Sequence, residues 1–138
     1  VVTADAFRFV VREQLAALGA EPRSLLVEPE GRDTAPAVLA ATLLMAGHDP
    51  GALLLVAPSD HVIPDASAFR AAVALGVAEA EAGRIVTFGI RPDRPETGYG
   101  YLELAEPPGD GPVPLRAFKE KPDAATAAAF LLDGRHLW

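Results

Sequence analysis

Asp60 follows directly on an apolar run, Ala52-Leu53-Leu54-Leu55-Val56, inside the polar exit Pro58-Ser59-Asp60-His61. A carboxylate leaving the end of a buried strand is placed to hold a divalent metal on a phosphate. The alternative for an isolated Ser-Asp-His is a turn cap. Three other stretches concentrate groups that could bind: Glu28-Pro29-Glu30-Gly31-Arg32-Asp33-Thr34, Glu96-Thr97-Gly98-Tyr99-Gly100-Tyr101 and Phe118-Lys119-Glu120-Lys121-Pro122. No nucleophile motif is present. His48, His61 and His136 have no serine or cysteine partner in a recognisable arrangement, and each is expected to lie in a turn or in solvent.

The elements that must position these residues can be read from periodicity. Phe7, Val10, Val11, Leu15 and Leu18 fall at helical spacing over Asp5 to Leu18, with Thr3 or Asp5 as the N-cap and Gly19 as the end. A short strand over Ser24 to Val27 leads into the Glu28 loop. Thr34 is expected to cap a helix that carries Pro36 in its first turn and stops at Gly47. Ala52 to Val56, bounded by Gly51 and Pro58, reads as a strand buried on both faces. Pro64-Asp65 opens a third helix, Ala66 to Ala82, ended by Gly83, and Ile85 to Ile90 is another apolar strand. This βαβ rhythm predicts a doubly wound, mostly parallel α/β sheet, whose ligands bind outside the carboxyl ends of its strands. The rhythm breaks at Arg91. Tyr99 to Leu104 and Val113 to Glu120 then read as a β-hairpin around a turn at Pro107 to Gly111, followed by a helix from Asp123 to Leu132 capped by Asp123.

Composition narrows the class of function. The 138 residues are half hydrophobic and 22% charged, which is one globular domain's worth of chain. A net charge of −7 argues against a general nucleic-acid surface but not against one phosphorylated small molecule at a locally positive site. No stretch is long and apolar enough for a membrane span, and no secretory signal is visible. With no cysteine, disulfides and thiolate metal sites are excluded, and the whole fits a cytoplasmic protein.

Taken as a set, the motifs resemble one family. Glu28-Pro29-x-Gly31-Arg32-Asp33-Thr34-Ala35-Pro36-Ala37, Pro58-Ser59-Asp60-His61, Phe88-Gly89-Ile90 through Tyr101, and Phe118-Lys119-Glu120-Lys121-Pro122 are similar, in order and spacing, to the motifs of the bacterial mannose-1-phosphate guanylyltransferases. That family includes bifunctional enzymes that also carry a mannose-6-phosphate isomerase domain. The chain resembles an internal piece of its Rossmann-like nucleotidyltransferase domain. The family's glycine-rich loop is expected before Val1 and an Asn-Ser-Gly-Met-Phe stretch after Trp138. Asp33 stands where the family usually has Asn.

The resemblance implies transfer of a guanylyl group from GTP to mannose 1-phosphate, giving GDP-mannose and pyrophosphate, with Mg²⁺ as cofactor. By the same resemblance, Asp60 is the metal ligand, and Glu28 or Glu30 accepts from the adjacent N–H donors of guanine. Pro29, Gly31, Arg32 and Thr34 complete the nucleotide loop. Glu96, Thr97, Gly98, Gly100 and Glu120 would form the sugar pocket, with Lys121 on the sugar's phosphate. One of Tyr99 and Tyr101 is expected in the core, Phe118 is expected to pack inside, and Lys119 is expected at the surface. GTP and mannose 1-phosphate are the implied partners, nucleic acid and membrane are not, and a homo-oligomer is compatible with the reading. The 138 residues alone are expected to be inactive, for want of the glycine-rich loop. Other readings are a nucleotidyltransferase for another sugar phosphate and, from a different class, a non-catalytic module that binds a sugar phosphate or nucleotide.

Overall fold

The structure, a computed structural model, describes all 138 residues, which divide into two units, Val1–His61 and Val62–Trp138. In the first, strand β1 (Val2–Ala4) pairs in parallel with β2 (Leu26–Glu28) in the register Val2↔Leu26, Thr3↔Val27, Ala4↔Glu28. A 3₁₀ turn, Asp5–Phe7, and helix α1 (Arg8–Ala17) connect them. The end of α1 is set by backbone geometry. Gly19 adopts φ +65°, its N–H reaches Ala16 O at 3.0 Å, and Ala20 N–H reaches Leu15 O at 2.9 Å. This is a Schellman closure, which satisfies the last carbonyls of the helix. Helix α2 (Thr34–His48) follows the Glu28 loop.

The second unit begins with α3 (Ala66–Glu81), where Asp65 accepts from Ser67 N–H and Ala68 N–H, both at 2.9 Å. Buried Gly76 lets the segment carrying Val86 and Phe88 lie against α3, since a Cβ there would fall 3.0 Å from Val86 Cγ1. Strands β3 (Tyr101–Leu104) and β4 (Leu115–Lys119) form an antiparallel hairpin. A bulge sits between Glu103↔Ala117 and Leu104↔Leu115, which leaves Arg116 as the extra residue. Helix α4 (Ala124–Asp133) is capped by Asp123, which accepts from Thr126 N–H at 2.7 Å. Strand β5 (His136–Leu137) then returns along β3, giving the order β4-β3-β5.

The core lies here. Tyr101 is fully buried, its ring 5.3 Å from that of Phe130 and 6.5 Å from that of Trp138. Leu104, Ala127 and His136 are buried with it.

The α/β class and the hairpin after residue 98 are as the sequence predicts, and several local expectations need correction. Ala52–Val56 pairs with no strand, and Leu53 to Val56 are 38–54% exposed. An apolar run states what its side chains favour, not which backbone lies beside it. Ile85 to Ile90 likewise joins no ladder, apart from a reciprocal pair of 2.9 Å bonds between Ile90 and Trp138. Neither Thr3 nor Asp5 caps α1; Asp5 lies in the 3₁₀ turn and ion-pairs with Arg8. Thr34 is the first residue of α2 rather than its cap, and Asp33 holds the cap position without a side-chain bond. No helix is long and apolar enough to cross a membrane.

Candidate functional site

The residues singled out by the motifs fall into two groups, one in each unit. In the first unit, Glu28 ends β2 and is half-buried, so the strand delivers its carboxylate to the exit of the parallel pair. Pro29, Gly31 and Arg32 form the exposed loop to Thr34. Arg32 is already partnered, its Nη2 lying 2.7 Å from Glu30 Oε2. The same loop holds Asp33 at φ 59°, ψ −162°, a region that glycine occupies readily and other residues at a cost of order 1–3 kcal/mol. Asp60 is exposed, and the chain contains no group of three or more His, Asp or Glu arranged to cage a metal.

The second group lies at one end of the β3–β4 hairpin and in the loop that leads into β3. Tyr101 pairs with Lys119, so Gly100, just before β3, faces Glu120, just after β4. A Cβ on Gly100 would lie 2.7 Å from Phe118 Cε2 and 3.2 Å from Glu120 Oε2. The absent Cβ leaves room for the Phe118 ring to lie across the backbone. Phe118 is therefore not an inside residue as expected: it is 58% exposed and covers Gly100 from the solvent side. Lys119 is exposed and Tyr101 is the core tyrosine, both as expected, whereas Tyr99 is partly exposed and meets Trp138 edge-on at 5.3 Å. Lys121 Nζ lies 3.3 Å from Glu120 Oε1, and its backbone has φ 40° immediately before Pro122.

Glu96 is the most constrained of these side chains. Its Oε1 accepts from Gly98 N–H at 3.0 Å, and its Oε2 lies 3.5 Å from Arg94 Nε. The Gly98 N–H bond, helped by Arg94 and opposed by desolvation, holds the carboxyl below the usual glutamate range. Thr97 is exposed between these anchors.

Sequence reasoning missed a second polar cluster. His136, expected in solvent or a turn, is buried. Its ring stacks on Phe130 at 3.7 Å and 11°, and its Nδ1 lies 2.9 Å from Asp133 Oδ1. Burial raises the Asp133 carboxyl, but bonds from His136 and from Arg135 N–H outweigh it and hold the group below its ordinary range. The available signal was Gly134, a left-handed helix end that turns the chain back so that His136, at the start of β5, meets Phe130 and Asp133 of α4. His48 and His61 are exposed, as expected.

The profile of the nucleotidyl transferase family matches residues 1–138. The chain belongs to that family. It is 49% identical over 138 residues to the xanthan biosynthesis protein XanB of Xanthomonas campestris pv. campestris strain B100, covering all of this chain and 29% of that protein. It is 44% identical over 145 residues to the mannose-1-phosphate guanylyltransferase of Escherichia coli K12, covering all of this chain and 30% of the relative. Among solved structures it superposes with a TM-score of 0.81 at 38% identity on mannose-1-phosphate geranyltransferase from Thermus thermophilus, covering 99% of this chain and 38% of that one. This nucleotidyl transferase chain thus spans less than a third of the length of the curated relatives it matches.

Proposed function

We propose that this chain serves nucleotidyl transfer from GTP to mannose 1-phosphate, forming GDP-mannose and releasing pyrophosphate. The observation that carries the reading is Gly100 set against Glu120, itself paired with Lys121, at one end of the β3–β4 hairpin, with Glu96 and Gly98 bonded to each other in the loop that leads into β3. Two carboxylates beside accessible main chain suit the hydroxyls of a sugar, and one ammonium suits its phosphate. A phosphate oxygen of the sugar phosphate attacks the α-phosphorus of the nucleotide, the new P–O bond forms, and the bond to pyrophosphate breaks. Positioning and charge neutralisation do most of the work, and no side-chain nucleophile is required.

On the nucleotide side, Glu28 is the carboxylate we assign to the guanine N1–H and N2 amino donors, because Glu30 is engaged by Arg32. Pro29, Gly31 and Thr34 shape the loop around it. Asp60 is the residue we assign to Mg²⁺. A single exposed carboxylate suits an ion held largely by phosphate oxygens. When bound, the ion would neutralise phosphate charge.

The test is pyrophosphate release by the product of the whole gene, with GTP, mannose 1-phosphate and Mg²⁺, and with ATP and glucose 1-phosphate as controls. Release that requires both GTP and mannose 1-phosphate is expected. Release with another pair would keep the reaction class and overturn the specificity. Silence with every pair from folded protein would leave a binding module in its place.

A further inference from the structure

The Tyr101 hydroxyl uses both its donor and its acceptor on one residue. It donates to Glu96 C=O at 3.0 Å and accepts from Glu96 N–H at 3.0 Å. Its ring is fully buried between Phe130 and Trp138, in the core built by β3, α4 and β5. A backbone segment without its own ladder is thereby tied to the largest fully buried side chain of the chain. A second tie runs beside the first: Arg94 lies 5.0 Å over the Trp138 ring and 3.5 Å from Glu96 Oε2. The indole Nε1 of Trp138 is buried without a hydrogen-bond partner, so the Trp138 side chain contributes its packing and its ring under Arg94, while its main chain pairs with Ile90. Of the core side chains that reach the loop, Tyr101 is the one that bonds the main chain of Glu96, whose own carboxylate holds Gly98 N–H within the loop.

We propose that Tyr101 is a positioning residue for the sugar-phosphate side of the reaction, its hydroxyl fixing the main chain of Glu96 so that residues 96 to 100 keep the shape that accepts the sugar. The proposal rests on the assignment of Glu96 made above. It does not require Tyr101 to touch substrate. Phenylalanine at this position would keep the ring packing and remove only the oxygen, leaving Glu96 N–H and C=O without their partner.

The experiment compares Tyr101→Phe with Phe130→Leu in the product of the whole gene. Phe130 packs on the Tyr101 ring but makes none of the hydrogen bonds to Glu96. Tyr101→Phe should raise KM for the sugar phosphate by about tenfold, the scale of a buried polar group left unpaired, while KM for the nucleotide stays within about twofold. Amide exchange at Glu96 should accelerate in the same variant. Phe130→Leu should lower the melting temperature and leave both KM values and Glu96 exchange near wild type. Equal KM shifts for both substrates in Tyr101→Phe, or the same sugar-specific shift in Phe130→Leu, would overturn the proposal, since packing alone would then explain the residue. Active wild-type protein together with a Tyr101→Phe variant that shows no split between the two KM values defeats this proposal only. Wild-type protein that is silent with every substrate pair defeats the functional reading as well.

Discussion

The Glu28 loop and the Glu96 loop carry the same kinds of residue: carboxylates, a glycine or two and an arginine. They are held in different ways. Glu96 is fastened by Tyr101 from a closed aromatic core, and its own carboxylate is used on Gly98 N–H. Glu28 is held only by its place at the end of β2 and by the start of α2 a few residues on, in a unit where no residue is buried. Local backbone shapes the first loop, whereas tertiary packing shapes the second. Positive-φ backbone occurs in both groups, at Asp33 and at Lys121, and Asp33 has no side-chain cap bond in return.

Substitutions can break or sharpen that contrast. The largest effect is expected at Asp60, whose side chain is exposed and carries no packing role. In the whole-gene product Asp60→Asn should lower kcat by about 100-fold or more at saturating Mg²⁺ and leave the melting temperature unchanged; near-normal kcat would remove it from the metal role. Next comes the core. Phe130→Ala, which strips the half-buried ring packed on Tyr101 and His136, should cost about 2–3 kcal/mol in denaturant unfolding, while Leu18→Ala in the first unit, 80% exposed, should stay within about 0.5 kcal/mol. Comparable losses at both would erase the distinction between the units. The caps should respond with opposite signs: Asp123→Ala removes the bond to Thr126 N–H and should cost about 1 kcal/mol. Asp33→Gly should stabilise by about 1 kcal/mol through relief of the positive-φ backbone.

The smallest effect is in the pH profile. Glu96 is held below its ordinary range by Gly98 N–H and, against desolvation, by Arg94. Its contribution is complete above the ordinary glutamate value, about 4.3, and is lost as pH falls through the depressed folded-state value. Melting temperature followed into acid should therefore fall less steeply for Glu96→Gln than for wild type.

What the sequence made legible was mostly local. The helix that opens at Asp65, the Asp123 cap and the Gly19 and Gly83 ends depend on a few consecutive residues, and these read correctly, whereas the start of α1 did not. The hairpin did too, because its strands are separated by a Pro- and Gly-rich turn. Ala52–Val56 and Ile85–Ile90 did not, because pairing belongs to two segments and only one was in view. His136 was misjudged for a related reason. Its burial comes from Phe130 on α4, and its polar partner, Asp133, is supplied by the turn of chain just before it. In the site, the motif located Gly100 but not its reason, which is the Phe118 ring across the strand pair.

The central claim is that the two loops serve different substrates, and paired kinetics of Glu28→Gln and Glu96→Gln in the whole-gene product test it most directly. The account predicts that Glu28→Gln raises KM for GTP and leaves KM for mannose 1-phosphate near wild type, and that Glu96→Gln does the reverse. Two variants that raise the same KM would contradict it.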